Sequence, residues 1–140
     1  MEGCLSNSPM ECYNLIFAGF GFREHVDLEC FLEVLSFLYK KHKNEGELVA
    51  ISTLAKKARY PVFQMLAKET NLHVISLDIR DIIRQNTLSF SELSMQLYQT
   101  GSLAEASALA AAGKNSQLLS CRIKSTKRMA TCALAKGVTE

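Results

Sequence analysis

The chain has 140 residues, of which 48% are hydrophobic and 21% are charged, and its formal net charge is +2. This composition fits one compact domain and excludes a disordered or fibrous chain. No apolar run reaches the roughly 18 residues that a membrane helix needs, and the polar start lacks the basic and apolar regions of a signal peptide. We therefore expect a soluble cytoplasmic protein with no membrane partner, in which residues 1–12 form a flexible tail and residues 13–140 one domain.

The chain begins its ordered part with a strand and a helix. Tyr13–Ala18 is a short apolar run typical of a buried strand, and Gly19-Phe20-Gly21-Phe22 after it predicts a glycine-containing turn. Asp27 is a predicted N-cap, because the apolar residues from Leu28 onward recur at helical spacing. Gly46 is expected to end this helix.

The middle of the chain repeats the alternation of strand and helix. Two further strands are predicted at Leu48–Leu54 and Leu72–Leu77, and Pro61 between them is well placed at the first position of a helix. Asp78 and Ser91 are candidate N-caps for two short helices that follow. Strands that alternate with helices favour a sheet covered by helices.

The last part of the chain predicts a helix and a hairpin. Ser102 and Glu105 have the spacing of a capping box, and the alanine-rich helix after them ends at Gly113. Gln117–Ile123 and Met129–Ala135 are β-compatible segments joined by a short polar link. The whole pattern predicts a single three-layer α/β domain, a mixed β-sheet flanked by helices, with a C-terminal β-hairpin.

The charge is distributed unevenly, because residues 112–137 contain six cations and no acid. An anionic partner that lies against this stretch is one interpretation, and a solvated hairpin is the other. Nucleic acid is not expected as a partner, since no known motif is present and the stretch lacks aromatic residues on which bases could stack. The cations are Lys114, Arg122, Lys124, Lys127, Arg128 and Lys136.

Cysteine and histidine give no sign of a metal site. The five cysteines are an odd number without a C-x-x-C spacing, and the three histidines are widely spaced. Most of the cysteines lie in apolar segments, where cysteine behaves as a small hydrophobic residue, and this usage fits a reducing compartment. We expect neither a metal nor another cofactor.

Four motifs between Leu15 and Gly137 resemble the family of CobE and the C-terminal domain of CbiG, proteins of cobalamin biosynthesis. The third is the most specific, because it resembles the family pattern G-s-x-A-E-A-x-A-L. In the first motif, Phe22 occupies the position where relatives commonly have a cysteine. In the second motif, Arg59 and Tyr60 occupy positions where relatives often have acidic residues. The motifs are Ala18-Gly19-Phe20-Gly21-Phe22-Arg23, Ile51-Ser52-Thr53 leading to Lys57, Gly101-Ser102-Leu103-Ala104-Glu105-Ala106 leading into Ala108-Leu109-Ala110, and Lys124 followed by Thr131-Cys132-Ala133-Leu134-Ala135.

The resemblance implies a protein that binds a corrinoid, an acidic precorrin-type tetrapyrrole intermediate. CbiG-like proteins are associated with the opening of a ring-A lactone, but this chain resembles only their C-terminal portion. Assistance to lactone opening and transfer of the intermediate are therefore both open roles, and no catalytic residue is indicated. The alternative is a non-catalytic module that docks onto another cobalamin-pathway enzyme.

Tetrapyrrole precursors carry carboxylates around a broad apolar ring, so their site needs cations at its rim and apolar surface within. Arg23 could bind a carboxylate through two hydrogen bonds, and Lys57 and Lys124 are carboxylate clamps or solvated lysines. Glu105 is either a capping-box residue bonded back to the backbone or a ligand or base. The ligand-binding residues that the resemblance implies are Gly19, Phe20, Gly21, Phe22, Arg23, Lys57, Gly101, Ser102, Glu105, Lys124 and Thr131.

Overall fold

The computed structural model describes residues 13–139, which build one six-stranded mixed sheet with helices on both faces. The predicted flexible tail lies outside the described residues. The strands follow the order β3-β2-β1-β6-β4, and β5 also pairs with β6. The strands β1, β2 and β3 are parallel, whereas β6 runs antiparallel to its three partners. The strands are β1 (Tyr13–Phe22), β2 (Glu47–Leu54), β3 (His73–Leu77), β4 (Gln117–Leu118), β5 (Ile123–Lys124) and β6 (Ala130–Thr139).

Four of the helices begin at the caps that the sequence predicts. Each cap side chain accepts a hydrogen bond from an amide in the first turn: Asp27, Asp78, Ser91 and Ser102. A four-residue helix after β2 was not predicted, because its side chains offer no capping signal. Within residues 13–139, no helix is long and apolar enough to cross a membrane. The helices are α1 (Leu28–His42), α2 (Ala55–Ala58), α3 (Pro61–Thr70), α4 (Ile79–Ile83), α5 (Glu92–Tyr98) and α6 (Leu103–Ala112).

An aromatic cluster fills the space between the sheet and the helices α1 and α3. Phe20 and Phe22 project from the same face of β1, as alternate residues of a strand do. The ring of Phe20 lies edge-on to Phe31 at 5.4 Å and to Phe63 at 5.7 Å, and Phe22 stacks on Phe63 at 5.6 Å. These are favourable aromatic geometries. Phe20 is therefore a core residue.

Helix α6 packs against the other face of β1 at Gly19. A Cβ atom at this position would lie 2.1 Å from the carbonyl oxygen of Ala104 and 2.4 Å from the amide nitrogen of Ala108. The backbone of α6 therefore rests directly on the strand. The predicted turn at Gly19-Phe20-Gly21-Phe22 is wrong, because these residues pair with β6 as part of β1. Gly19 serves close packing of the helix on the strand.

The predicted C-terminal hairpin is present but its first segment is interrupted. The segment Gln117–Ile123 contains the two-residue strand β4 and the first residue of β5, while β6 extends beyond the predicted Ala135. Between β4 and β5, the hydroxyl of Ser120 accepts a hydrogen bond from the amide of Leu134. In a regular antiparallel pair, a backbone carbonyl would be the acceptor. This side-chain bond replaces strand pairing locally.

We expect Gly19→Ala to lower the free energy of unfolding by about 1–3 kcal/mol, because the added methyl group meets helix backbone that cannot rotate away. Gly21→Ala is the matched control in the same strand. Its Cβ would meet the side-chain hydroxyl of Thr131 at 2.9 Å, and a side chain can adjust at lower cost. Urea unfolding of both variants measures the difference, and equal losses would contradict the role of α6.

Candidate functional site

A cleft with a cavity volume of about 590 Å³ opens at the carboxyl end of β1, beside the helix that follows β2. Ligands of α/β proteins commonly bind at this end of a sheet. The walls come from the end of β1, from α2, α5 and the first turn of α6, and from the β5–β6 hairpin. Its cations are Arg23, Lys57, Arg122, Lys124 and Arg128, and its larger apolar and aromatic residues are Phe22, Leu93, Leu97, Tyr98, Leu103 and Met129.

The cleft is strongly cationic, because its five basic side chains face a single lining acid, Glu24. Arg23 follows β1 directly, and its amide donates a hydrogen bond to the carbonyl of Met129 at 2.9 Å. Three of the six cations of residues 112–137 line the cleft. A concave surface that gathers charges of one sign attracts ligands of the opposite sign.

Hydrogen bonds to side chains hold the turn of the β5–β6 hairpin, and the cations of the hairpin are thereby kept at the cleft. The buried hydroxyl of Ser125 accepts hydrogen bonds from the amides of Met129 and Ala130, both at 3.1 Å. The amide and hydroxyl of Thr126 donate to the carboxylate of Glu33 on α1. The turn therefore contributes a defined surface to the cleft.

Lys57 differs from the other cations, because only 7% of it is exposed. Its Nζ donates to the carbonyl oxygen of Phe22 at 2.6 Å and lies 4.6 Å from the centre of the Phe22 ring. Tyr60 and Tyr98 complete an aromatic surround. The interpretation of Lys57 as a solvated lysine is wrong, because the side chain is buried and hydrogen-bonded to the backbone. Within residues 13–139 its ammonium forms no ion pair.

Burial lowers the pKa of Lys57, and the neighbouring charge of Lys56 lowers it further. The charge of Glu24 raises this pKa, but the net shift is downward. Burial, and to a lesser extent the nearby Tyr60, raises the pKa of Tyr98. The phenol therefore stays protonated at neutral pH, as a hydroxyl that can donate a hydrogen bond. A desolvated ammonium that forms no ion pair is stabilised in its charged form when an anion binds beside it.

Helix α5 forms the apolar wall of the cleft. Leu93 and Leu97 stand one helical turn apart and both line the cleft, although 53% and 58% of them are exposed. Ser94 between them also lines the cleft, and its buried hydroxyl has no hydrogen-bond partner among the described residues. This wall combines apolar contact area with one unused polar group.

Glu105 is fully buried behind the cleft, and donors of the protein itself surround its carboxylate. One oxygen accepts from the amides of Leu88 and Ser89 at 2.6 and 2.9 Å. The other accepts from the hydroxyl of Ser89 at 2.5 Å and from the amide of Arg122 at 2.9 Å. Only half of the predicted capping box is formed: Ser102 caps the amide of Glu105, but the carboxylate bonds to these distant segments.

Glu105 is held in its charged form. Burial by itself would raise the pKa of this carboxyl, but the hydrogen bonds from Ser89, Arg122 and Leu88 outweigh burial and bring its pKa below the ordinary value. Because four donors surround the carboxylate, its role in this arrangement is to join α6 to the segment before α5 and to Arg122. Both joined segments reach the cleft.

The cleft brings together six of the residues that the sequence analysis singled out: Gly21, Phe22, Arg23, Lys57, Lys124 and Thr131. The other five lie outside its lining: Gly19, Phe20, Gly101, Ser102 and Glu105. Thr131 donates a hydrogen bond to the carbonyl of Gly21 at 3.2 Å and thereby links β6 to β1. Ligand contact by any of these residues stays a prediction.

Of the eighteen residues that line the cleft, only six were named as ligand-binding in the sequence analysis. Arg122 and Arg128 were visible as part of the basic stretch, but nothing in the sequence separated them from its other cations. Leu93, Leu97 and Tyr98 gave no signal, because a helix that lines a cleft has the same apolar spacing as one that packs on a core. Among the described residues, no group of three His, Cys, Asp or Glu side chains could hold a metal ion.

The mixed sheet, its two helical layers and the cleft at the strand ends define a small three-layer α/β protein. The family model described as the C-terminus of cobalamin synthesis protein G matches residues 16–135, and the chain belongs to this family. No curated protein matches the sequence.

Three solved structures share the fold. The crystal structure of CobE, a protein from the cobalamin (vitamin B12) biosynthetic pathway, is 25% identical, with a TM-score of 0.81 over 92% of this chain and 98% of that one. Cobalamin biosynthesis protein chiG from Agrobacterium tumefaciens is 20% identical, with a TM-score of 0.64 over 86% and 96% of the two chains. A putative cobalamin biosynthesis protein G homolog from Sulfolobus solfataricus is 23% identical, with a TM-score of 0.58 over 86% of this chain and 36% of that one.

We expect Glu105→Gln to lower the free energy of unfolding at pH 7 by about 2–4 kcal/mol, because an amide cannot accept from all four donors. The folded pKa is lowered, so this stabilisation is complete above the unfolded pKa of about 4.3 and disappears as the pH falls through the folded value. Urea unfolding at decreasing pH should show the difference between the two proteins become smaller once the pH falls below the unfolded pKa. Glu69→Gln on the exposed surface of α3 is the control, and a difference that persists at low pH would contradict this account.

Proposed function

We propose that the protein binds an acidic tetrapyrrole intermediate of cobalamin biosynthesis in the cleft. Its family supports the pathway. The observation that carries the proposal is the composition of the cleft, in which five cations and one acid surround an apolar interior. A ring with apolar faces and several carboxylates at its edge matches this composition better than a purely polar or a purely apolar ligand does.

The sizes are also compatible, since binding sites for small molecules usually measure roughly 300–1,000 Å³ and this cleft measures about 590 Å³. A macrocycle would leave part of its edge in solvent. The exposed cations Arg23, Lys124 and Arg128 would then meet carboxylates at the rim, and the buried Lys57 would meet one below them. The ligand would supply the ion pair that Lys57 lacks.

Within this proposal the protein either holds the intermediate for transfer or assists the opening of a ring-A lactone. Lactone hydrolysis needs a base that activates water and an acid that serves the leaving oxygen. Apart from arginines, the titratable lining groups are Glu24, His25, Lys57, Tyr98 and Lys124. Turnover of a lactone-containing intermediate by the purified protein alone would favour hydrolysis, and binding without product would favour transfer.

We expect Arg23→Ala and Lys124→Ala each to weaken the binding of cobyrinic acid, a corrin with free carboxylates, by about three- to tenfold, because each loses one ion pair at the rim. An absorbance titration of the purified protein measures this effect. Lys68→Ala removes an exposed cation of α3 outside the cleft and should change nothing. Cobinamide, whose carboxylates are amides, should bind more weakly than cobyrinic acid. If all three substitutions weakened cobyrinic acid binding equally, the result would argue against the cleft as the binding site.

For Lys57→Met we expect a loss of about tenfold or more in affinity for cobyrinic acid, with a change in stability of roughly 1 kcal/mol at most. The substitution removes a desolvated charge without an ion pair and keeps an apolar chain of similar length, which offsets the lost hydrogen bond to Phe22. Thermal unfolding and titration of the same sample separate the two effects. A large loss of stability with unchanged affinity would make Lys57 a structural residue only.

A second candidate function is docking onto another cobalamin-pathway enzyme. Of the nine large hydrophobic residues that are exposed in the described part of the chain, seven lie between Ile79 and Leu97. A concentration of exposed apolar residues in one segment favours a protein interface. Ile83 and Leu88 lie outside the cleft. If docking is the function, the double variant Ile83→Ser, Leu88→Ser should no longer co-elute with a purified pathway enzyme. Its binding of cobyrinic acid should stay intact.

A further inference from the structure

The two long walls of the cleft differ in chemistry. The wall that contains the β5–β6 hairpin carries Arg122, Lys124 and Arg128. The wall formed by α5 carries Leu93 and Leu97 and has no basic residue, since the sequence of the helix is ELSMQLY. A small polycarboxylate would need only the cationic wall, so the leucine wall indicates a ligand that also has an extended apolar face.

The exposure of the two leucines supports this interpretation. Leu93 and Leu97 lie on one side of α5 and remain more than half exposed, although both reach the cleft. Side chains that only packed the helix onto the protein would be covered. A flat ring in the cleft would cover both leucines at once and remove apolar area from water.

Ser94 gives a second and independent indication. Only 9% of this residue is exposed, it lines the same cleft as the two leucines, and its hydroxyl has no partner among the described residues. A buried hydroxyl without a hydrogen bond is costly, so a partner from outside the protein would be favoured. Because all three residues line one cleft, a ligand that fills the cleft can contact the leucines and this hydroxyl together.

We propose that Leu93 and Leu97 contact the face of the bound ring and give the cleft its preference for a tetrapyrrole over a ring-free polycarboxylate, while Ser94 hydrogen-bonds a polar group of the same ligand. This inference rests on the proposed function. The cations then set the affinity for carboxylates in general, and α5 determines which carboxylates are selected. Ring binding and charge binding are therefore separable by mutation.

The test compares two ligands by calorimetric titration at fixed ionic strength: cobyrinic acid, and butane-1,2,3,4-tetracarboxylate as a polycarboxylate without a ring. Leu93→Ser with Leu97→Ser should weaken cobyrinic acid binding about tenfold and leave tetracarboxylate binding unchanged. Leu88→Ser with Met95→Ser is the matched control, because these residues are 72% and 41% exposed but lie outside the cleft. Ser94→Ala should weaken cobyrinic acid binding about fivefold.

The outcomes are distinct. Selective weakening of cobyrinic acid binding by the Leu93 and Leu97 substitutions supports the inference. Equal weakening of both ligands, or an effect no larger than that of the control pair, overturns the inference while the proposed function stands. Unchanged binding by Ser94→Ala overturns the role of its hydroxyl. Wild-type protein that does not bind cobyrinic acid overturns both proposals.

Discussion

The direct contact between the backbone of α6 and β1 at Gly19 is the constraint on which the rest of the structure depends. It sets the distance between the sheet and the helix that carries the buried carboxylate. It also places Leu103, the first residue of α6, in the wall of the cleft. Any larger side chain at Gly19 would separate the two layers, and the segments fastened to α6 would move with it.

The two buried charges near the cleft illustrate two different uses of burial. Glu105 accepts four hydrogen bonds from the protein, so its charge is compensated and its effect is to fix the positions of other segments. Lys57 has one backbone acceptor and an aromatic surround, so its charge is compensated only in part. A satisfied charge is typical of structure, whereas a charge that still lacks a counterion is typical of a binding site.

Much of the fold could be predicted because its signals are local. The caps Asp27, Asp78, Ser91 and Ser102 each act within one turn of the chain, and the apolar periods of strands and helices need only a short window. The glycines of β1 could not be interpreted in this way, because a glycine needed for a turn and one needed under a helix look the same in sequence. The distinction depends on α6, which lies some 80 residues further along the chain.

The site was less predictable than the fold for the same reason. A spacing of three residues between Ser102 and Glu105 predicts a capping box, but the partners of the carboxylate are Leu88, Ser89 and Arg122, whose proximity only the tertiary structure creates. Lys57 and Lys124 were indistinguishable as lysines, yet the structure buries the first and exposes the second. The family resemblance identified residues near the cleft without telling which of them line it.

The antiparallel pairing of β1 with β6 has a consequence for how the protein is made. Arg23 and Met129, which line the cleft and share a backbone hydrogen bond, are separated by more than a hundred residues and are brought together only when these two strands meet. Contacts of such long range form late, because they close a large loop of chain. During synthesis the parallel part of the sheet can begin to assemble early, but the cleft cannot exist before β6 has left the ribosome. The two sides of the cleft are therefore assembled only when β1 has paired with β6.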